Sequence, residues 1–140
     1  LEIVAELFGK PDKGTQMKLV EDGLVTYPDV KYICCDTVAA EGALEIFAEK
    51  KITGIELLGG YPTPVIEDKI KEGDVMAMAS DGAAIWARMS IDMAIQILEG
   101  RDIVRDTAPQ PFIIDTNNVN SYDRGTTLAP KDWDPIWKVN

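Results

Sequence analysis

A parallel α/β fold, three layers deep with helices on both faces of the sheet, is what this sequence predicts. Three observations carry the prediction. Short apolar runs of strand length alternate along the chain with segments in which apolar residues recur every three or four positions. Each change of period is marked by turn or cap chemistry, at Asp36–Thr37, at Gly59–Gly60 with Thr63–Pro64, and at Ser80–Asp81–Gly82. The helical segments are long enough to cross between parallel strands. The resulting order β-α-β-α-β-α-β-α-β implies right-handed crossovers and a sheet buried on both sides.

Residues 1–8, LEIVAELF, form the first apolar run, and the chain starts there without an initiator methionine, as a mature secreted protein or a fragment does. A helix over residues 14–27 puts Met17, Val20 and Leu24 on one face, and Pro28 ends it because proline cannot continue the hydrogen-bond ladder. Residues 31–35 read as a buried strand. Asp36 or Thr37 caps a helix over 38–50, with Ala40, Ala43, Leu44 and Phe47 turned inward and Glu41, Glu45 and Glu49 on the solvent side. The next strand covers 54–58 and ends at Gly59–Gly60, read as a tight turn that needs positive φ. Thr63 as cap and Pro64 at the first helical position start a helix that buries Val65, Ile66 and Ile70 and stops at Gly73.

Residues 75–79 form the fourth strand, counting that first run, and from Ala83 the period changes. Arg88, Asp92, Gln96 and Glu99 fall at spacings of four, four and three, a single narrow stripe on a helix over 83–99 that is otherwise almost entirely apolar. Burying its isoleucine, leucine and methionine side chains is worth about 1.5–3 kcal/mol apiece. A bare helix would forgo on the order of 10 kcal/mol, more than much of a domain's net stability. It is therefore expected to pack on the lobe that carries it, on a symmetry partner, or on a separate chain. Beyond Gly100 the pattern loosens. Pro109 and Pro111 introduce a last strand over 112–116, a polar turn follows at 117–120, and residues 128–140 form an irregular arm carrying Trp133, Ile136 and Trp137.

The chain of 140 residues suits one domain with a real core. Its 14 basic and 24 acidic residues give a net charge of −10, which repels phosphate backbones and anionic lipid, so no nucleic-acid partner is expected. No apolar run approaches the ~18 residues of a membrane helix. Cys34 and Cys35 are adjacent, and a bridge between neighbours is strained, so both read as small apolar strand residues.

Catalytic motifs are scarce. The chain has no histidine, no G-x-S-x-G, no Walker loop and no G-x-G-x-x-G after a strand, and no metal or cofactor site is expected. What remains is a rim. Consecutive strand ends present Asp36 and Thr37, then Tyr61, then Asp81, with Trp86 one turn further on. Ligands of open α/β sheets bind outside the carboxyl ends of the strands. Hydrogen-bonding groups and aromatic faces without a nucleophile suit non-covalent capture of a small molecule. Asp36 and Thr37 read equally as helix caps or as ligand contacts, whereas Asp81 reads as a ligand contact because Ser80 and Gly82 can serve the turn. An enzyme working through Asp36 and Asp81 is the alternative of another class.

Several stretches resemble the C-terminal half of type I periplasmic binding proteins, the family of ribose-type sugar-binding proteins and LacI-like sensing domains. These are Tyr27-Pro-Asp-Val-Lys-Tyr-Ile33, Ala39–Ala40 with Gly42–Ala43, and Ile70-Lys-Glu-Gly-Asp-Val-Met-Ala-Met-Ala-Ser-Asp81, followed by a helix ending in Leu98-Glu-Gly100. Val38 to Glu41, Trp86 and Leu128-Ala-Pro130 are similar to the branch that senses trimethylamine N-oxide. The resemblance implies a two-lobed periplasmic protein whose N-terminal half is missing here. Residues 1–81 and 103–140 would belong to the C-terminal lobe, and 82–102 would cross into the missing lobe. It implies a small-molecule ligand in the cleft, contacted by Asp36, Thr37, Tyr61, Asp81 and Trp86, and a membrane histidine kinase or an ABC permease as partner. Cys34–Cys35 stands where sugar binders carry an Asn-Asp type of pair, which favours a methylated amine held by Asp81, Tyr61 and Trp86 over a hexose or pentose. Cation–π contacts are worth about 0.5–2 kcal/mol each.

Overall fold

The computed structural model describes residues 1–134. Ile136 and Trp137 of the expected arm lie outside the described residues, and Trp133 is exposed. Eight elements alternate as the periodicity predicts: α1 (Lys13–Thr26), β1 (Tyr32–Cys35), α2 (Thr37–Lys50), β2 (Glu56–Gly60), α3 (Pro64–Glu72), β3 (Ala77–Ser80), α4 (Ala83–Leu98) and β4 (Phe112–Asp115). A 3-10 turn, η1 (Arg124–Thr126), follows.

The caps fix most boundaries. Asp12 accepts the Thr15 N–H at 2.9 Å and starts α1, and Asp36 accepts the Ala39 N–H at 2.8 Å and starts α2. The Thr63 hydroxyl accepts the Ile66 N–H, Pro64 sits in the first turn of α3, and Gly73 at φ 85° closes that helix.

The strands form one sheet in the order β1-β2-β3-β4. The α/β class holds, but the sheet is mixed rather than wholly parallel: β1, β2 and β3 are parallel, and β4 runs antiparallel to β3. The reason is the route of the chain. It leaves the end of β3 for α4 and returns through Pro109 and Pro111 at the same end, so Phe112 pairs with Ser80 and β4 descends where β3 rises.

Two further expectations fail. Residues 1–8 form no strand; Leu1, Ile3, Leu7 and Phe8 are exposed, because an apolar run without a neighbouring strand has no ladder to join. The three-layer arrangement is also incomplete among the described residues. Leu57, Met78 and Ile114, with Ile33, Cys35 and Phe112, turn toward the core formed with Val20 of α1, Ala40, Ala43 and Ile46 of α2, and Ile66 and Ile70 of α3. Tyr32, Cys34, Glu56 and Ile113, which alternate onto the other face, are exposed.

Gly59 is not a turn residue. It lies inside β2, in register with Cys35, and a Cβ there would sit 1.7 Å from the Cys35 carbonyl oxygen. Glycine is required here for close approach of two strands.

No residue of α4 is buried. Ile91 is 61% exposed and Leu98 87%, and the element on which the helix leans is η1. Of the three supports expected for this helix, the lobe that carries it supplies almost none. Replacing Leu57, fully buried in β2, with alanine is expected to cost about 2–5 kcal/mol in urea unfolding of the chain. The Ile91→Ala change on α4 is expected to stay within ~0.5 kcal/mol; equal losses at the two sites would contradict this distribution of packing.

Candidate ligand-binding site

Register decides what the strand ends can share. Cys35 pairs with Gly59 and Gly60 with Ala79, so the residues following each strand emerge side by side on one edge of the sheet. Asp36, Thr37, Tyr61 and Asp81 are thereby brought together on that edge. Trp86 follows on the first turn of α4, which begins after Gly82 at the end of β3. It lies 53% exposed on α4, where it lines a shallow groove with Met89, Ser90, Met93, Thr107 and Pro109.

Each residue has a distinct local state. The Asp36 carboxylate is committed to the α2 cap through the Ala39 N–H, so the capping role is real. Thr37 is 6% exposed, and its hydroxyl oxygen is buried without a hydrogen-bond partner among the described residues. Unsatisfied buried hydroxyls are costly and uncommon.

Tyr61 has φ +31°, a backbone state that a bulky residue adopts at a cost of order 1–3 kcal/mol. Its N–H donates to the Ala79 carbonyl at 2.7 Å, which ties this strained residue to the end of β3 and leaves its ring half exposed. Asp81 is exposed, and its carboxylate has no ion pair or hydrogen bond among the described residues. The turn is served instead by Ser80, whose buried hydroxyl accepts the Gly82 N–H at 3.1 Å. A charge not used by the fold thus stands at the rim.

Three interactions behind this edge escaped the sequence reading. Glu41 is not a solvated face residue: it is half-buried and accepts a hydrogen bond from the Thr63 hydroxyl at 2.6 Å, which ties α2 to the start of α3. Glu67, 4% exposed, pairs with Arg124 Nε at 2.8 Å and with Lys71 Nζ at 3.3 Å. The Ser80 and Thr127 hydroxyls meet at 2.6 Å. Apart from the i,i+4 pair of Glu67 with Lys71, each joins residues far apart in the chain, and no local pattern announces such pairs.

The two cysteines differ. Cys34 is exposed on the open face of β1. Burial of Cys35, reinforced by the neighbouring charges of Asp36 and Cys34, pushes its thiol up to about 12. Thiolate is the reactive form. Maleimide near neutral pH is therefore expected to modify Cys34 and spare Cys35 in the folded chain, as mass spectrometry would read; equal labelling rates would contradict the burial of Cys35. Among the described residues no cluster of side chains has the makings of a metal site.

No family model matches the chain. Periplasmic protein TorT of Escherichia coli K12 is 22% identical over 137 residues, 98% of this chain and 40% of TorT. The solved complex of TorT with the TorS sensor domain in the presence of TMAO superposes with a TM-score of 0.86 at 20% identity, over 98% of this chain and 46% of that one. An ABC transporter solute-binding protein of Bradyrhizobium sp. BTAi1, solved with bound bis-tris, gives a TM-score of 0.84 at 32% identity over 98% of this chain and 41% of its own. A solute-binding protein of Agrobacterium vitis with bound D-fucose gives 0.82 at 15% identity, over 91% and 45%. The chain thus spans less than half the length of these relatives. It is homologous to periplasmic protein TorT and has the fold of part of a periplasmic solute-binding protein.

Proposed function

We propose that the chain is the C-terminal part of a non-enzymatic periplasmic protein that captures a small trimethylamine-N-oxide-like solute between two lobes and reports its presence to a membrane sensor kinase. The observation that carries the reading is the strand-end rim. An unpaired carboxylate at Asp81, a strained and half-exposed Tyr61 and the buried, unpartnered hydroxyl of Thr37 share one edge. Such an edge offers a negative charge and an aromatic face to a methylated nitrogen.

The missing half supplies the opposite wall. Residues 1–81 and 103–134 make the lobe described here, and 82–102 belong with the N-terminal lobe. That assignment gives the solvated α4 the cover its apolar circumference requires. Trp86, one turn into α4, then comes to the ligand from the other lobe. Closure of the lobes over solute changes the surface offered to the kinase.

A sugar-carrying component of an ABC transporter is the second reading, favoured by the relative that holds D-fucose. The two-carboxylate enzyme is weaker, because Asp36 already serves as a cap.

Isothermal titration of the protein containing both halves, with trimethylamine N-oxide and a panel of sugars, tests the proposal. Micromolar binding of the N-oxide is expected, with Asp81→Ala weakening it tenfold or more at unchanged Tm. Sugar binding alone would favour the transport reading, and unchanged affinity in the variant would remove the site.

A further inference from the structure

The direction in which α4 leaves the sheet owes little to its own packing, since none of its residues is buried and it leans only on η1 and the returning chain near Pro109. Nor is it set by a side-chain cap. The cap residue is Gly82, left-handed at φ +70°, with no side-chain hydrogen bond to the first turn. What surrounds the junction is returning chain. A Cβ on Gly82 would stand 3.2 Å from the Pro109 Cβ and 3.8 Å from the Thr126 carbonyl oxygen. Three passages of the chain therefore converge on one point: the exit through residues 80–82, the return at Pro109, and the η1 segment.

The polar contacts at this point form a continuous series back to the core. Ser80 is fully buried, and its hydroxyl accepts the Gly82 N–H and meets the Thr127 hydroxyl at 2.6 Å. Thr127 is itself buried and follows η1, whose start is fixed by Asp123 accepting the Gly125 N–H at 3.1 Å. Arg124 of η1 donates to Glu67 at 2.8 Å and to the Ala129 carbonyl. Glu67 lies on α3 between Ile66 and Ile70, both fully buried, so the far end of the series is anchored in the core.

We propose that the Ser80–Thr127 hydroxyl pair, held in place by the Arg124–Glu67 ion pair, is a latch that sets the angle between α4 and the sheet. The inference extends the two-lobe reading above: if α4 belongs to the second lobe, this latch sets the resting gap between the rim and Trp86. A buried hydroxyl pair meets no competing water, so it holds one geometry. Ser80 and Thr127 are positioning residues; neither needs to touch solute.

The test measures the angle directly and needs no ligand. A spin label on Cys34, which is exposed, and one on a Glu99→Cys change at the far end of α4 report their separation by electron–electron resonance, with Cys35 buried and unlabelled. The parent chain is expected to give a narrow distance distribution. Thr127→Val, which keeps the shape and removes the hydroxyl, is expected to broaden it at least twofold, and Thr127→Ser to restore the parent width. Ser80→Ala and Arg124→Met should broaden it likewise wherever circular dichroism reports a folded chain; Thr127→Val carries the test if they unfold. A parent-like width in Thr127→Val, or equal broadening in Thr127→Ser, would overturn the latch. Failure of the two-lobe protein to bind any solute would overturn the functional reading and leave the width measurement standing.

Discussion

Everything at the candidate site depends on three parallel strands ending level with one another. Cys35 opposite Gly59, and Gly60 opposite Ala79, put the residues that follow each strand onto one margin. Gly59 makes this possible, because any side chain there would run into the Cys35 carbonyl. With β1 and β2 forced apart, Asp36 and Thr37 would no longer lie beside Tyr61. The caps do the rest: Asp36 and Thr63 each turn the chain into a helix within one to three residues of the edge, which keeps the margin short and open.

The packing is lopsided, and the asymmetry has a physical reading. The face built from Leu57, Met78 and Ile114 is closed by α2 and α3, with α1 lying on α2, whereas Tyr32 and Ile113 look outward from the other face. The apolar run at residues 1–8 finds no strand to pair with, and α4 carries isoleucine and leucine into solvent. Exposed apolar surface on this scale marks sites of further contact. The relatives are more than twice as long as this chain.

Much of this was legible in the residues. Asp36, Thr63 with Pro64, and Gly73 mark element boundaries through chemistry that acts within four residues, and the stripe from Arg88 to Glu99 announces a helix wanting cover. The direction of β4 was not legible, because it depends on where the chain returns after α4 rather than on the composition of 112–115. Gly59–Gly60 looked like a turn because a dipeptide cannot reveal a backbone across the sheet. Beside Asp81, Ser80 and Gly82 serve the turn as the sequence suggests. Trp86 stands on the first turn of α4, beyond the left-handed Gly82, half exposed. Glu41–Thr63, Glu67–Arg124 and Ser80–Thr127 were invisible because their partners lie 22 to 57 positions apart.

The central claim is that α4, bare in this chain, packs into a second lobe that faces the rim. Hydroxyl-radical footprinting of the protein carrying both halves tests it most directly, through the oxidation of Trp86, Met89 and Met93. Strong protection of the two methionines relative to the 140-residue chain, with Trp86 gaining further protection only when solute is added, is the predicted result. Oxidation of all three at the rate found in the isolated chain, with and without solute, would contradict it.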